Sequence, residues 1–172
     1  MIIGVSGKIG AGKTTLVRYL SNKGFNILGF SSLLREELKK SGMKETRENY
    51  IKLGNNLRKK YGDGYLAEKL AEKIKEGNYV LDGVRSEGEA NILKKKLGKK
   101  FILIFIDADR NLRYNRIKQR QRDIDLKMDF DRIEKEDSDI GLNKCKELAD
   151  IIIENNQTIK EFYKKIDEIL ES

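Results

Sequence analysis

Three features of the sequence predict an α/β fold, a five-stranded parallel sheet flanked by helices in three layers. Short apolar runs alternate with longer amphipathic stretches along the whole chain, the pattern of successive βαβ units. The longest apolar run, Phe101-Ile102-Leu103-Ile104-Phe105-Ile106, is continuous rather than alternating, as in a central strand covered on both faces. Near the start, Gly7-Lys8-Ile9-Gly10-Ala11-Gly12-Lys13-Thr14 fits G-x-x-x-x-G-K-[ST] without a mismatch, and it lies between an apolar run and a helical pattern. That is the phosphate-binding P-loop in its proper setting, and it predicts a P-loop NTPase fold.

Taken in order, Met1 to Val5 reads as the first strand. The helix after the P-loop places Leu16, Val17 and Leu20 on one face, and Gly24 suits its C′ position. Phe25 to Phe30 is a second strand, and Ser31 or Ser32 caps a helix from about Leu33 to Ser41. Thr46 caps the next helix, from about Arg47 to Tyr61, and Gly62-Asp63-Gly64 is a turn. Tyr65 to Glu76 is amphipathic, with Gly77 ending it. Tyr79 to Gly83 is an apolar strand ending in an acid, and Ser86-Glu87-Gly88-Glu89 is a capping box that opens a helix to about Leu97. Beyond the central strand, Asp107 to Arg122 reads as a basic helix, Asp123 to Asp139 as polar and short-helical, and Leu142 to Leu148 as a short helix. Ala149 to Glu154 is the last strand, and Thr158 with Glu161 caps a final helix to about Leu170. The strand order expected by analogy is two, three, one, four, five, with a ligand at the carboxyl ends.

The chain has 172 residues, the size of one domain spanning 1–172 with a real core. Its 36 basic and 28 acidic residues give +8, which suits an anionic partner such as a nucleotide, or nucleic acid. The charge is spread rather than clustered. One cysteine, Cys145, forbids an intrachain disulfide and points to reducing cytoplasm. No stretch approaches 18 apolar residues and no basic region precedes an apolar run, so neither a membrane span nor a signal peptide is expected. The chain has no histidine, which excludes chemistry that needs a histidine base or histidine metal ligands.

The P-loop supplies glycines that let the backbone wrap a phosphate, and a helix N-terminus whose free N–H groups and dipole favour negative charge. Gly7, Lys8, Ile9, Gly10, Ala11, Gly12, Lys13, Thr14 and Thr15 are therefore the expected binding residues for ATP. Lys13 reaches the β- and γ-phosphates, and Thr14 holds Mg²⁺ together with Asp82, the acid that ends an apolar strand. Phosphoryl transfer needs positioning and positive charge more than a base. Arg35 and Arg85 lie near strand ends on the P-loop side and are expected to grip a phosphate. Arg113, Arg116 and Arg120 share a helical face, with Lys118 and Arg122 close by. They form either a lid of about 113–130 that brings Arg116 and Arg120 to the transferring group, or a solvated basic face, with a nucleic-acid face as a lesser reading. A GTPase is disfavoured, because Asn143-Lys144-Cys145-Lys146 lacks the aspartate of the guanine motif and Asp82-Gly83-Val84-Arg85 lacks the second switch glycine.

On these residues the chain resembles the adenylate-kinase-like branch of P-loop kinases. Phe30 to Leu38 resembles the segment with which nucleoside monophosphate kinases contact their acceptor. The resemblance implies an acceptor-binding helical insert of about 31–76 and acceptor contacts from Ser31, Ser32 and Arg35. Tyr79 to Arg85 resembles the strand and turn written there as an apolar run followed by Asp-Gly-Phe-Pro-Arg, although here the proline is missing and the turn is one residue shorter. Arg116 to Arg120 resembles the start of their lid, without a long lid or a lid zinc site. Thr46 to Asn49, Asp82 to Ser86 and Asp129 to Glu136 resemble motifs of the archaeal adenylate-kinase-related family often labelled dephospho-CoA-kinase-like. The implied function is an ATP- and Mg²⁺-dependent kinase of a small phosphate-bearing acceptor, a nucleoside or deoxynucleoside monophosphate, with Arg85 and Arg122 on the acceptor. Dephospho-CoA is the second acceptor, disfavoured because Gly29-Phe30-Ser31-Ser32 lacks the aspartate that activates a hydroxyl. An RNA-associated ATPase or polynucleotide kinase is third.

Overall fold

The computed structural model describes residues 1–119 and 126–171. Strands β1 (Ile2–Gly7), β2 (Asn26–Gly29), β3 (Tyr79–Asp82), β4 (Phe101–Asp107) and β5 (Ile151–Glu154) form one sheet in the order β2-β3-β1-β4-β5. Every pairing is parallel. The expected strand order is therefore observed, and all five carboxyl ends lie along one edge. Helices α1 (Lys13–Asn22), α2 (Phe30–Lys40), α3 (Arg47–Tyr61), α4 (Tyr65–Ala71), α5 (Glu87–Leu97), α6 (Arg110–Gln119), α7 (Leu126–Asp139), α8 (Leu142–Glu147) and α9 (Ile159–Glu171) follow in chain order.

The period-two geometry of the strands splits the core into two layers. Phe101, Leu103 and Phe105 of β4 belong to a cluster completed by Leu66, Leu70 and Leu93 of α4 and α5. Ile104 and Ile106 belong to the opposite cluster with Leu16 and Leu20 of α1 and Ile166 of α9. A continuous apolar run is thus what a strand buried on both faces requires. Truncation of Phe105, 1% exposed, to alanine is expected to cost about 3–5 kcal/mol, read as a lower urea midpoint at constant slope. A loss under about 1 kcal/mol would mean that the cavity collapses.

Several boundaries differ from those expected. Neither Ser31 nor Ser32 caps α2. Buried Phe30 starts the helix directly after β2, with Gly29 as N-cap, and the Ser32 hydroxyl donates to Gly29 O at 2.6 Å. Helix α4 stops at Ala71 rather than Glu76, because Lys73 N and Ile74 N reach back three residues, to Leu70 O and Ala71 O, instead of four. Asp107 ends β4 instead of opening a helix, and α6 starts at Arg110. Helix α7 is a full 14 residues, since Phe130 and Ile133 bury an apolar edge that the polar composition hides. Thr46, Ser86 and Thr158 act at helix starts as expected, accepting from Asn49 N, Glu89 N and Glu161 N. Among the described residues no helix is long and apolar enough to cross a membrane.

Candidate functional site

The P-loop runs from the end of β1 into α1. The N-cap of α1 is Gly12, with no side-chain cap and no acid in the first turn. The orphan N–H groups and the positive helix end are left for an external anion. Gly10 and Gly12 have φ of 78° and 120°, which side chains rarely adopt. A Cβ on Gly10 would stand 2.6 Å from Arg113 O, so α6 packs directly against the loop.

Two residues brace the loop from behind. Arg113 is 3% exposed and donates to Ile9 O at 3.2 Å and to Ala108 O at 2.9 Å, and it pairs with Glu134 of α7 at 2.6 Å. Its expected place on a solvated or lid face is corrected: the guanidinium is spent on loop carbonyls and a carboxylate, which a phosphate partner would have to displace. Asn155, just past β5, donates to Ala11 O at 2.8 Å. Arg116 donates to Asn155 O at 2.9 Å, so this arginine stands beside the P-loop brace. Arg120 and Arg122 lie outside the described residues.

Lys13 is half-buried, and its ammonium donates to Gly7 O at 2.5 Å and Lys8 O at 2.9 Å. Burial, seconded by the nearby Arg85 and opposed by Asp137 and Asp82, lowers its pKa to about 8. Asp82 ends β3 opposite Val5 of β1, and burial raises its pKa against the pull of Lys13 and Arg85. The turn after it is pinned to β1: Gly83 N and Val84 N donate to Val5 O, and Ser6 Oγ donates to Val84 O at 2.8 Å. Despite the missing proline, Arg85 thereby sits close enough to Lys13 to lower its pKa, with its NH1 3.5 Å from Asp137 of α7. Lys13, Asp82 and Arg85 are thus brought together at one mouth. Asp137, 6% exposed, joins them, and the polar look of its helix gave no sign of it.

The expected acceptor residues are more spread. Thr14 and Ser31 are exposed, and Ser32 is tied to Gly29 O. Arg35 is exposed and donates to Glu45 at 2.9 Å and to Tyr50 Oη at 3.2 Å; the neighbouring Glu36 and Glu37 pair with Lys73 and Lys40. Between α3 and α7 lies a cleft of ≈ 420 Å³ lined by Ile51, Asn55, Arg58, Asp63, Glu136, Asp139 and Ile140. Cys145 is fully buried, and burial pushes its thiol up to about 12.

Comparison with known proteins agrees with this architecture. Residues 6–138 match a family described as an AAA domain. A UPF0200 protein of Sulfurisphaera tokodaii is 33% identical over 177 residues, covering 98% of this chain and 95% of its own. A UPF0200/UPF0201 protein of Archaeoglobus fulgidus is 30% identical over 167 residues, and this chain spans about half of its length (52%). Among solved structures, shikimate kinase from Bacteroides thetaiotaomicron superposes with a TM-score of 0.65 at 13% identity, covering 100% of this chain and 99% of its own. Shikimate kinase from Acinetobacter baumannii in complex with shikimate superposes with 0.61 at 18% identity, covering 98% and 92%. The family match takes in the P-loop and Lys13, and the superposition on the solved kinase runs over the whole chain: the chain belongs to the AAA domain family and to the UPF0200 proteins of archaea, and it has a P-loop kinase-like fold.

Proposed function

We propose that the protein is an ATP–Mg²⁺-dependent phosphotransferase acting on a small phosphate-bearing acceptor, a nucleoside or deoxynucleoside monophosphate. The observation that carries this reading is the convergence of Lys13, Asp82 and Arg85 at the mouth of an uncapped helix N-terminus. An ATPase that only hydrolyses needs the first two. The guanidinium of Arg85 beside them suits a second phosphate-bearing reactant.

In this reading Gly7 to Thr15 hold the donor phosphates. Their backbone amides and the Lys13 ammonium bind the β- and γ-oxygens, Lys13 leaving the carbonyls of Gly7 and Lys8 to do so. The Thr14 hydroxyl and the Asp82 carboxylate fit a divalent cation, since Thr14 is exposed at the start of α1 and Asp82 is a half-buried carboxylate whose charge Lys13 and Arg85 favour. Mg²⁺ bound by these two residues would supply charge neutralisation at the transferring group. Arg85 grips the acceptor phosphate, and Arg116 closes the charge around the transferred group. Residues of about 31–76, with Ser31, Ser32 and Arg35, form the acceptor insert. The lid assigned to about 113–130 reaches residues 120–125, which lie outside the described residues, and with them the roles of Arg120 and Arg122.

One observation favours a second reading, a hydroxyl acceptor such as dephospho-CoA. Asp137 brings a buried carboxylate to Arg85 and Lys13, where it would accept the proton of an attacking hydroxyl. ATP consumption against AMP, CMP, UMP, GMP, their deoxy forms and dephospho-CoA separates the two readings. Turnover of order 1–100 per second with a monophosphate supports the first. Turnover with dephospho-CoA alone replaces it with the second, and water-level background throughout removes both.

A further inference from the structure

The turn that carries Arg85 is held from the far side of the site by a buried ion pair. Glu89 of α5 is 0% exposed. One of its oxygens, Oε2, accepts from Arg85 N at 2.9 Å. The other, Oε1, accepts from Arg58 of α3, NH2 at 2.7 Å and Nε at 3.3 Å. This departs from an ordinary capping box, in which the acid would return to the N-cap N–H. Here the carboxylate reaches one residue further back and links two segments 31 residues apart in sequence.

A second contact closes the same joint. Gly88 N donates to Asp63 Oδ2 at 2.9 Å, and a Cβ at Gly88 would sit 2.5 Å from that oxygen. The turn after α3 is thus seated on the first turn of α5. Stability alone is a poor reason for such a pair. Desolvating two charges offsets most of their attraction, and apolar residues of equal volume often serve the fold as well. What an apolar pair cannot do is take the Arg85 N–H and the Arg58 fork at once.

We propose that Arg58 and Glu89 are positioning residues that fix the Arg85 turn to α3, so that the helical insert and the arginine at the P-loop mouth keep one geometry. The proposal rests on the reading above, in which Arg85 grips the acceptor and α3 flanks it. Neither residue touches the P-loop; both act through Arg85. The coupling predicts that their loss is felt by the acceptor and not by the donor.

The test is the double variant R58M/E89M in the full chain. It removes both charges and so avoids stranding either one in the interior. The expected result is a melting temperature within a few degrees of wild type and a nucleotide Kd unchanged within about twofold. The acceptor kcat/KM is expected to fall by about 10²-fold, the cost of a small misplacement at a transfer site. A double variant that folds and turns over acceptor at the wild-type kcat/KM overturns the proposal. Arg58→Lys keeps the charge and loses the fork, and is expected to lose about tenfold in acceptor kcat/KM with the nucleotide Kd unchanged; a folded R58K with wild-type turnover also overturns it. Amide hydrogen exchange, measured without nucleotide or acceptor, gives a readout independent of catalysis. The Arg85 amide is expected to exchange at least about tenfold faster in both variants. Unchanged protection there refutes the coupling even if the wild type proves to be a kinase. Wild-type protein without acceptor turnover refutes the kinase reading, while the exchange result still decides the coupling.

Discussion

Lys13→Met is expected to abolish acceptor-dependent turnover, by at least about 10²–10³ in kcat/KM, while leaving the fold in place. The ammonium donates to two carbonyls of the loop, and it stands at the uncapped end of α1. Its removal loses two hydrogen bonds to loop carbonyls, but it also relieves a charge whose burial lowers its pKa. The two effects oppose each other, so the change in melting temperature should be small.

The same lysine sets a pH dependence. Its pKa in the free protein is about 8, and a polyphosphate bound beside it stabilises the protonated form and raises that value. Binding of ATP without metal is therefore at full strength below pH 8. It weakens about tenfold per unit as pH rises above 8, until the pKa of the complex is passed. Calorimetry in two buffers of different ionisation enthalpy should show proton uptake on binding near pH 8. For Lys13→Met the slope above pH 8 should vanish. A wild-type affinity flat from pH 7 to 9.5 would show that Lys13 does not meet the phosphates.

Gly10→Val carries the second large effect, on fold and site together. A φ of 78° is strained for any β-branched residue, and the new Cβ would lie 2.6 Å from the backbone oxygen of Arg113. A backbone carbonyl cannot rotate aside as a side chain can. Strain and overpacking together are expected to cost about 2–5 kcal/mol and to push α6 off the loop. Thermal unfolding should shift down by ten degrees or more. Nucleotide binding should weaken at least about tenfold, because α6 carries the Arg113 brace on Ile9 O. Gly24→Val is the control at another glycine of positive φ, 89°, where a Cβ meets nothing within 4 Å, and it should cost only the backbone term.

Much of this was legible in the sequence because it depends on local rules. The P-loop needs glycines at fixed spacing, and the doubly buried β4 needs an unbroken apolar run. The caps at Thr46, Ser86 and Thr158 need only a side-chain oxygen in the right place. What could not be read depends on partners distant in the chain. Asn155 looks like any residue after a strand, yet its amide reaches Ala11, 144 residues away. The strand-end placement that singled out Asp82 and Arg85 would also have marked Asn155, had it been applied to β5. Arg113 looks like one arginine of a basic face, and only the packing of α6 on the loop turns it inward. Glu89 was legible as half of a capping box but not as the partner of Arg58. Asp137 carries no signal in an acidic helix, because its role comes from how α7 meets the Arg85 turn.

Transfer to a small acceptor is tested most directly by phosphorus NMR of ATP–Mg²⁺ incubated with the wild-type protein and the acceptor panel, with Lys13→Met as the blank. The expected result is loss of the γ-phosphoryl signal matched by a new phosphoryl signal on one acceptor, with little inorganic phosphate and neither change in the blank. Inorganic phosphate as the sole product would make the protein an ATPase, and an unchanged γ-phosphoryl signal in the wild type would contradict the reading of Lys13, Asp82 and Arg85 as a transfer site.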